Sequence, residues 1–187
     1  MERNMDFRHL DLSGAFLIEM TPNIDDRGEF TRTYCSSEFA SKGVGQPFVQ
    51  CNISRNVQKG TLRGLHYQAS PCEEGKLVRC SRGSVFDVLV DIREGSSTRY
   101  QWLAFELSEK NNRQLYVPPG FAHGFQTLED DTEVFYQMTE PYTPDAARGM
   151  NWSDPNLGIE WPLPNPIVSS RDSSFRKLSD KPKRLDD

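Results

Sequence analysis

With 187 residues, 27 acidic against 22 basic side chains and a formal net charge of −5, the chain lacks the basic excess that general nucleic-acid binding requires. A protein of 21.4 kDa buries about 70% of the surface its extended chain exposes, enough for one well-formed core, so a single domain over residues 1–187 is expected. No apolar run reaches the length of a membrane span, and residues 1–10 carry no signal-peptide core; a cytoplasmic protein with neither membrane nor nucleic-acid partner is expected.

In chain order, Phe16-Leu17-Ile18-Glu19-Met20 reads as an apolar strand able to cross to a second copy, since the edges of a sandwich need covering. Asp25-Asp26-Arg27-Gly28 is turn chemistry that presents Arg27. Ser36 to Lys42 predicts a short helix capped by Ser36 or Ser37. In Val85–Ile92, alternation puts Val85, Asp87, Leu89 and Asp91 on one side and Phe86, Val88, Val90 and Ile92 on the other, a strand with one fully apolar face. Trp102–Leu107, Gln114–Val117 and Glu133–Met138 behave alike, being rich in aromatic and β-branched residues. Arg82-Gly83-Ser84, Glu94-Gly95-Ser96-Ser97 and Pro118-Pro119-Gly120 are turns between them. Many short strands separated by turns predict an all-β antiparallel sandwich or barrel, not a parallel sheet with crossover helices. Past Asp172 one or two helical turns are expected, and residues 179–187 read as a loose charged tail. Cys35, Cys51, Cys72 and Cys80 form no CxxC pair and are expected as free thiols.

The chemistry concentrates in Lys59-Gly60-Thr61-Leu62-Arg63-Gly64-Leu65-His66-Tyr67-Gln68, followed by Lys76 in Glu74-Gly75-Lys76-Leu77-Val78-Arg79. Histidine moves a proton near neutral pH, lysine can steady an oxyanion and arginine matches phosphate oxygens, so this span holds most of a proton-transfer site. Of the three histidines, His9 belongs at the surface near the terminus. For His66 or His123 taken alone, a hydrogen-bonded structural histidine is the ordinary reading. With no HxH or HxxxH pair in the chain, His66 and His123 leave a metal short of ligands, and metal-free chemistry is expected. Arg27, and Arg63 beside Gly64 where a ligand can approach the backbone closely, could clamp a diphosphate. For either taken alone, a solvated or ion-paired arginine is the ordinary reading.

Together, Arg27-Gly28-Glu29-Phe30, Gln50-Cys51-Asn52-Ile53-Ser54, Leu62–Gln68, Gly75–Val78, Val85–Val88, Pro118–Phe125, Tyr136, Tyr142-Thr143-Pro144, Trp152–Pro155 and Gly158–Pro162 resemble the dTDP-4-dehydrorhamnose 3,5-epimerases. The similarity runs in the family's order from about Phe16 to Asp172. It implies a cupin-type jelly roll (a double-stranded β-helix) with short peripheral helices, a homodimer, no cofactor, and epimerisation of a nucleoside-diphosphate 4-keto-6-deoxyhexose beside its ketone. By the same resemblance His66 is the base, Asp172 the carboxylate that orients it, Lys76 the partner of the C4 oxygen and Tyr136 the acid. Arg27, Gln50, Asn52, Arg63, His123 and Tyr142 match positions that contact the nucleotide sugar. From its residues alone, Tyr136 is an aromatic core residue of a strand.

Two positions depart from the family pattern. Arg32 stands where many dTDP-specific members have glutamate two residues after the RGxF motif, and Ala147 stands where glutamate often follows the second tyrosine. Both changes bear on nucleotide recognition, which leaves CDP- or GDP-linked sugars as alternatives to dTDP. A single-carbon epimerase and a non-catalytic nucleotide-sugar-binding jelly roll are the competing readings of the whole.

Overall fold

A computed structural model describes residues 5–178, so the tail expected at 179–187 lies outside the described residues. Its elements are β1 (Met5–His9), β2 (Phe16–Met20), β3 (Asn23–Asp25), β4 (Gly28–Phe30), α1 (Ser36–Ser41), β5 (Gln50–Asn56), β6 (Thr61–Gln68) and β7 (Lys76–Arg82). They continue with β8 (Ser84–Asp91), β9 (Trp102–Ser108), β10 (Arg113–Val117), β11 (Phe121–Thr127), β12 (Thr132–Met138), β13 (Ala147–Gly149), β14 (Ile167–Val168) and α2 (Ser170–Ser173). One sheet runs β1-β2-β10-β7-β12-β5 and the other β13-β6-β11-β8-β9, with β14 beside β6. From β5 to β8 successive strands alternate between the sheets, and β9 to β12 resume the alternation. That winding is the double-stranded β-helix, or jelly roll, and the two short helices lie at its periphery.

The inner core joins both sheets: Leu17, Val78, Leu115 and Val134 from the first meet Val85, Leu89, Leu107 and Phe125 from the second. Phe39 of α1 is fully buried with Phe7, Ile18 and Leu77, so the helix covers the outer face of the first sheet. Burying one such phenylalanine contributes about 1.5–3 kcal/mol. On the outer face of the second sheet, Val88 and Val90 pack with Leu65, Met150 and Leu157.

Three local expectations are corrected. β2 is hydrogen-bonded to β1 on one side and to β10 on the other, so Phe16–Met20 is spent within its own sheet and does not cross to a second copy. α1 starts one residue earlier than a serine cap would allow; Cys35 occupies the N-cap and gives no side-chain hydrogen bond. α2 contains Asp172 instead of following it, and its true cap is Ser169, whose hydroxyl accepts the Asp172 N–H at 3.0 Å. All four cysteines are free thiols. No helix among the described residues is long and apolar enough to cross a membrane.

Candidate active site

β6 and β11 approach unusually closely. Gly64 has φ +130°, and a Cβ there would meet Gly124 Cα at 2.6 Å, so only glycine lets the two backbones pass. The register slips by one residue here, leaving His66 directly opposite His123. Residues opposite one another on antiparallel strands face the same way, so both imidazoles line one cavity of about 440 Å³.

Asp172 reaches His66 because β14 runs parallel to β6, pairing Ile167 with Thr61 and Val168 with Leu62. The turn of α2 that follows sets the Asp172 carboxylate behind the imidazole. Its Oδ1 lies 2.8 Å from His66 Nε2 and its Oδ2 accepts the Gly64 N–H at 3.0 Å. Burial alone would raise this carboxyl, but the hydrogen bonds from His66 and Gly64, with the charge of His66, hold it below the usual aspartate range. An ionised Asp172 places the ring proton on Nε2 and leaves the Nδ1 lone pair free to act as a base. The rings of Phe175 and His66 meet in a T-shaped arrangement with centroids 5.9 Å apart. That ring fills the space a side chain on Gly149 would need.

The facing sheet supplies the other groups. Lys76 pairs with Met138 across β7 and β12, and Tyr136 stands two residues from Met138, which brings lysine and phenol to one face. Lys76 Nζ lies 2.6 Å from Glu74 Oε1. Burial pushes the Tyr136 hydroxyl above the usual phenol value; Arg63 opposes the shift and Glu74 adds to it. The phenol is therefore protonated at neutral pH and able to donate.

The cavity is lined by His66, Lys76, Tyr136, Arg63, His123 and Tyr142 of the residues singled out by sequence. Gln50 and Asn52 do not line it. Gln50 Oε1 accepts the Tyr142 N–H at 2.9 Å and its amide reaches Asn52 Oδ1 at 3.2 Å, so the pair holds the Tyr142 loop. Arg27 lies apart from these residues: its side chain is 89% exposed and paired with Asp25 at the tip of the β3–β4 hairpin, outside this chain's own cavity. Arg32 is likewise turned away, bonded to Glu38 at 3.0 Å, whereas Ala147 is part of the wall.

Sequence reasoning missed two acids. Asp87 is fully buried and holds His123 Nε2 at 2.9 Å; a carboxylate on the Val85–Leu89 face of an apolar strand was the available signal. Glu74 was visible only as part of the Glu74-Gly75-Lys76 run. Among the described residues no three His, Cys, Asp or Glu side chains cluster as a metal site would need.

A family model for dTDP-4-dehydrorhamnose 3,5-epimerase matches residues 9–180. The enzyme of that name from Sinorhizobium fredii is 44% identical over 179 residues, covering 95% of this chain and 92% of the relative. A crystal structure of the Bacillus anthracis epimerase with TDP and PPi bound superposes with a TM-score of 0.91 at 41% identity, covering 93% of this chain and 99% of that one. The Legionella pneumophila epimerase in complex with dTDP-4-keto-L-rhamnose gives a TM-score of 0.90 at 39% identity and 95% coverage of each chain. With sequence, fold and length in agreement, the chain belongs to the dTDP-4-dehydrorhamnose 3,5-epimerase family of isomerases.

Proposed function

We propose that this protein epimerises a dTDP-linked 4-keto-6-deoxyhexose at both carbons flanking the ketone. A single observation carries the reading: His66, backed by Asp172 on one sheet, shares a cavity with Lys76 and Tyr136 of the facing sheet. The C–H bonds at C3 and C5 are acidic only because the C4 carbonyl can accept the electron pair. His66 Nδ1 takes the proton, the electrons move onto the C4 oxygen as an enolate, and the Lys76 ammonium steadies that charge. Tyr136 then returns a proton to the opposite face of the carbon, which inverts it, and exchange with solvent restores both groups. Arg63 and His123 hold the sugar diphosphate, with Tyr142 on the same wall. The dTDP form follows from relatives whose crystals contain TDP or dTDP-4-keto-L-rhamnose. Of the two departures noted above, only Ala147 touches the cavity.

Turnover in D2O tests the assignment. Deuterium is expected at both C3 and C5 of the recovered sugar, each introduced from the solvent-exchanged phenol. Label confined to one carbon would make this a single-carbon epimerase, and absence of label with tight binding would make it a nucleotide-sugar-binding protein.

The working unit is proposed to be a homodimer. β5 is the open edge of its sheet and carries exposed Ile53, while the β3–β4 hairpin exposes Ile24 and Phe30. Ile53, Ser54 and Arg55 of that edge also line the cavity, so a second copy docked along β5 could bring an Arg27 to its mouth. Sedimentation at twice 21.4 kDa is expected, and a monomer at micromolar concentration would exclude this arrangement.

A further inference from the structure

Glu74 is a buried carboxylate to which the proposed chemistry gives no part. Its side chain is 4% exposed and that of Lys76 is 9% exposed, with Oε1 2.6 Å from Nζ. Its other oxygen, Oε2, accepts the Gln68 N–H of β6 at 2.9 Å. Glu74 thus ties the lysine of one sheet to the strand of the other that carries His66. Lys76 Nζ itself lies 3.5 Å from the His66 carbonyl oxygen.

Glu74 is also the one carboxylate lining the cavity among the described residues. Facing it are Lys76 from β7, Tyr136 from β12 and Arg55 from β5. The opposite sheet presents Arg63, His66 and Tyr67 from β6 and His123 from β11, while Tyr142, Arg148 and Arg171 close the rim. Four arginines suit a diphosphate but work against a proton donor, because positive charge favours phenolate over phenol. Arg63 acts on Tyr136 in that sense and Glu74 opposes it. A carboxylate at 2.6 Å also fixes where the Lys76 Nζ sits in the cavity.

We infer that Glu74 is a positioning residue for the reaction: it holds Lys76 Nζ in place, directed at the C4 oxygen, and, as the one negative charge of the cavity among the described residues, it favours the donating form of Tyr136. The inference rests on the function proposed above. Glu74→Gln tests it, because the amide oxygen can still accept the Gln68 N–H while the charge is gone. Removing that charge makes the Tyr136 proton easier to lose, so activity should fail at lower pH. The alkaline limb of kcat is expected to move down by about 1 pH unit, with KM at neutral pH unchanged. Tyrosinate absorbance, taken as the difference between Glu74→Gln and Glu74→Gln/Tyr136→Phe, should shift the same way. A profile that superimposes on the parent, or an equal loss of kcat at every pH, overturns the inference. His66→Asn measured alongside separates the two levels. If that variant keeps full turnover the function itself fails, whereas an inactive His66→Asn beside an unshifted Glu74→Gln removes only the role of Glu74.

Discussion

Replacing His66 with asparagine is expected to lower kcat by about a hundred- to ten-thousand-fold, the usual cost of losing a general base. Solvent deuterium should vanish from C3 and C5 together, because one imidazole serves both carbons. The fold should survive, since the His66 side chain is 39% exposed and Asp172 Oδ2 keeps its hydrogen bond from the Gly64 N–H. The variant has a second signature, in stability. The Asp172 carboxyl sits below its usual value in the folded protein: burial pushes it up, but the hydrogen bonds from His66 and Gly64 prevail. A depressed carboxyl contributes stability that is present above its unfolded value of about 4 and is lost as pH falls through its folded value. His66→Asn removes the larger of the two hydrogen-bonding causes, so its Tm deficit should be clear at pH 7 and shrink toward pH 2. A deficit independent of pH would mean that Asp172 and His66 are not coupled.

Lys76→Met should be severe in two separable ways. Loss of an oxyanion partner removes about 2.7–4 kcal/mol of transition-state stabilisation, roughly a hundred- to a thousandfold in kcat. Glu74 would also be left buried without its counter-charge, and breaking such a pair from one side costs about 3–5 kcal/mol. In a domain of this size that lowers Tm by on the order of 10 °C. The double variant Glu74→Gln/Lys76→Met carries no orphaned charge, so it should regain most of the lost Tm while remaining as slow as the single variant. Recovery of turnover along with Tm would show that the lysine acts through packing and not through charge on the enolate.

Much of the architecture was legible because strand periodicity survives in the residues themselves. Alternation in Val85–Ile92 correctly separated two faces, but it could not say which of them turns inward. The face carrying Asp87 and Asp91 proves to be the inner one, with Val85 and Leu89 in the shared core. The fully apolar face packs outward beneath Met150 and Leu157. Burial of the carboxylates depends on partners that alternation does not encode: His123 for Asp87, and Arg93, Ser96 and Thr98 for Asp91. The positions of His66, Lys76 and Tyr136 in one cavity were readable from the resemblance, because each lies on a regular strand whose register carries it there. The place of Arg27 outside its own chain's cavity was not readable, for the converse reason. Arg27 sits on a two-stranded hairpin paired only with itself, and a turn motif predicts the turn without fixing where the hairpin points. Glu74 escaped notice because a glutamate two residues before a lysine looks like any solvated surface pair until both are found buried.

The carboxylate that orients His66 arrives from a point 106 residues farther along the chain, on a segment that follows all the strands of the two sheets. Every strand of both sheets, and with them the cavity that holds His66, is therefore encoded before residue 172. A chain ending at Ser169 would keep those strands, yet its imidazole would lack the group that selects its tautomer.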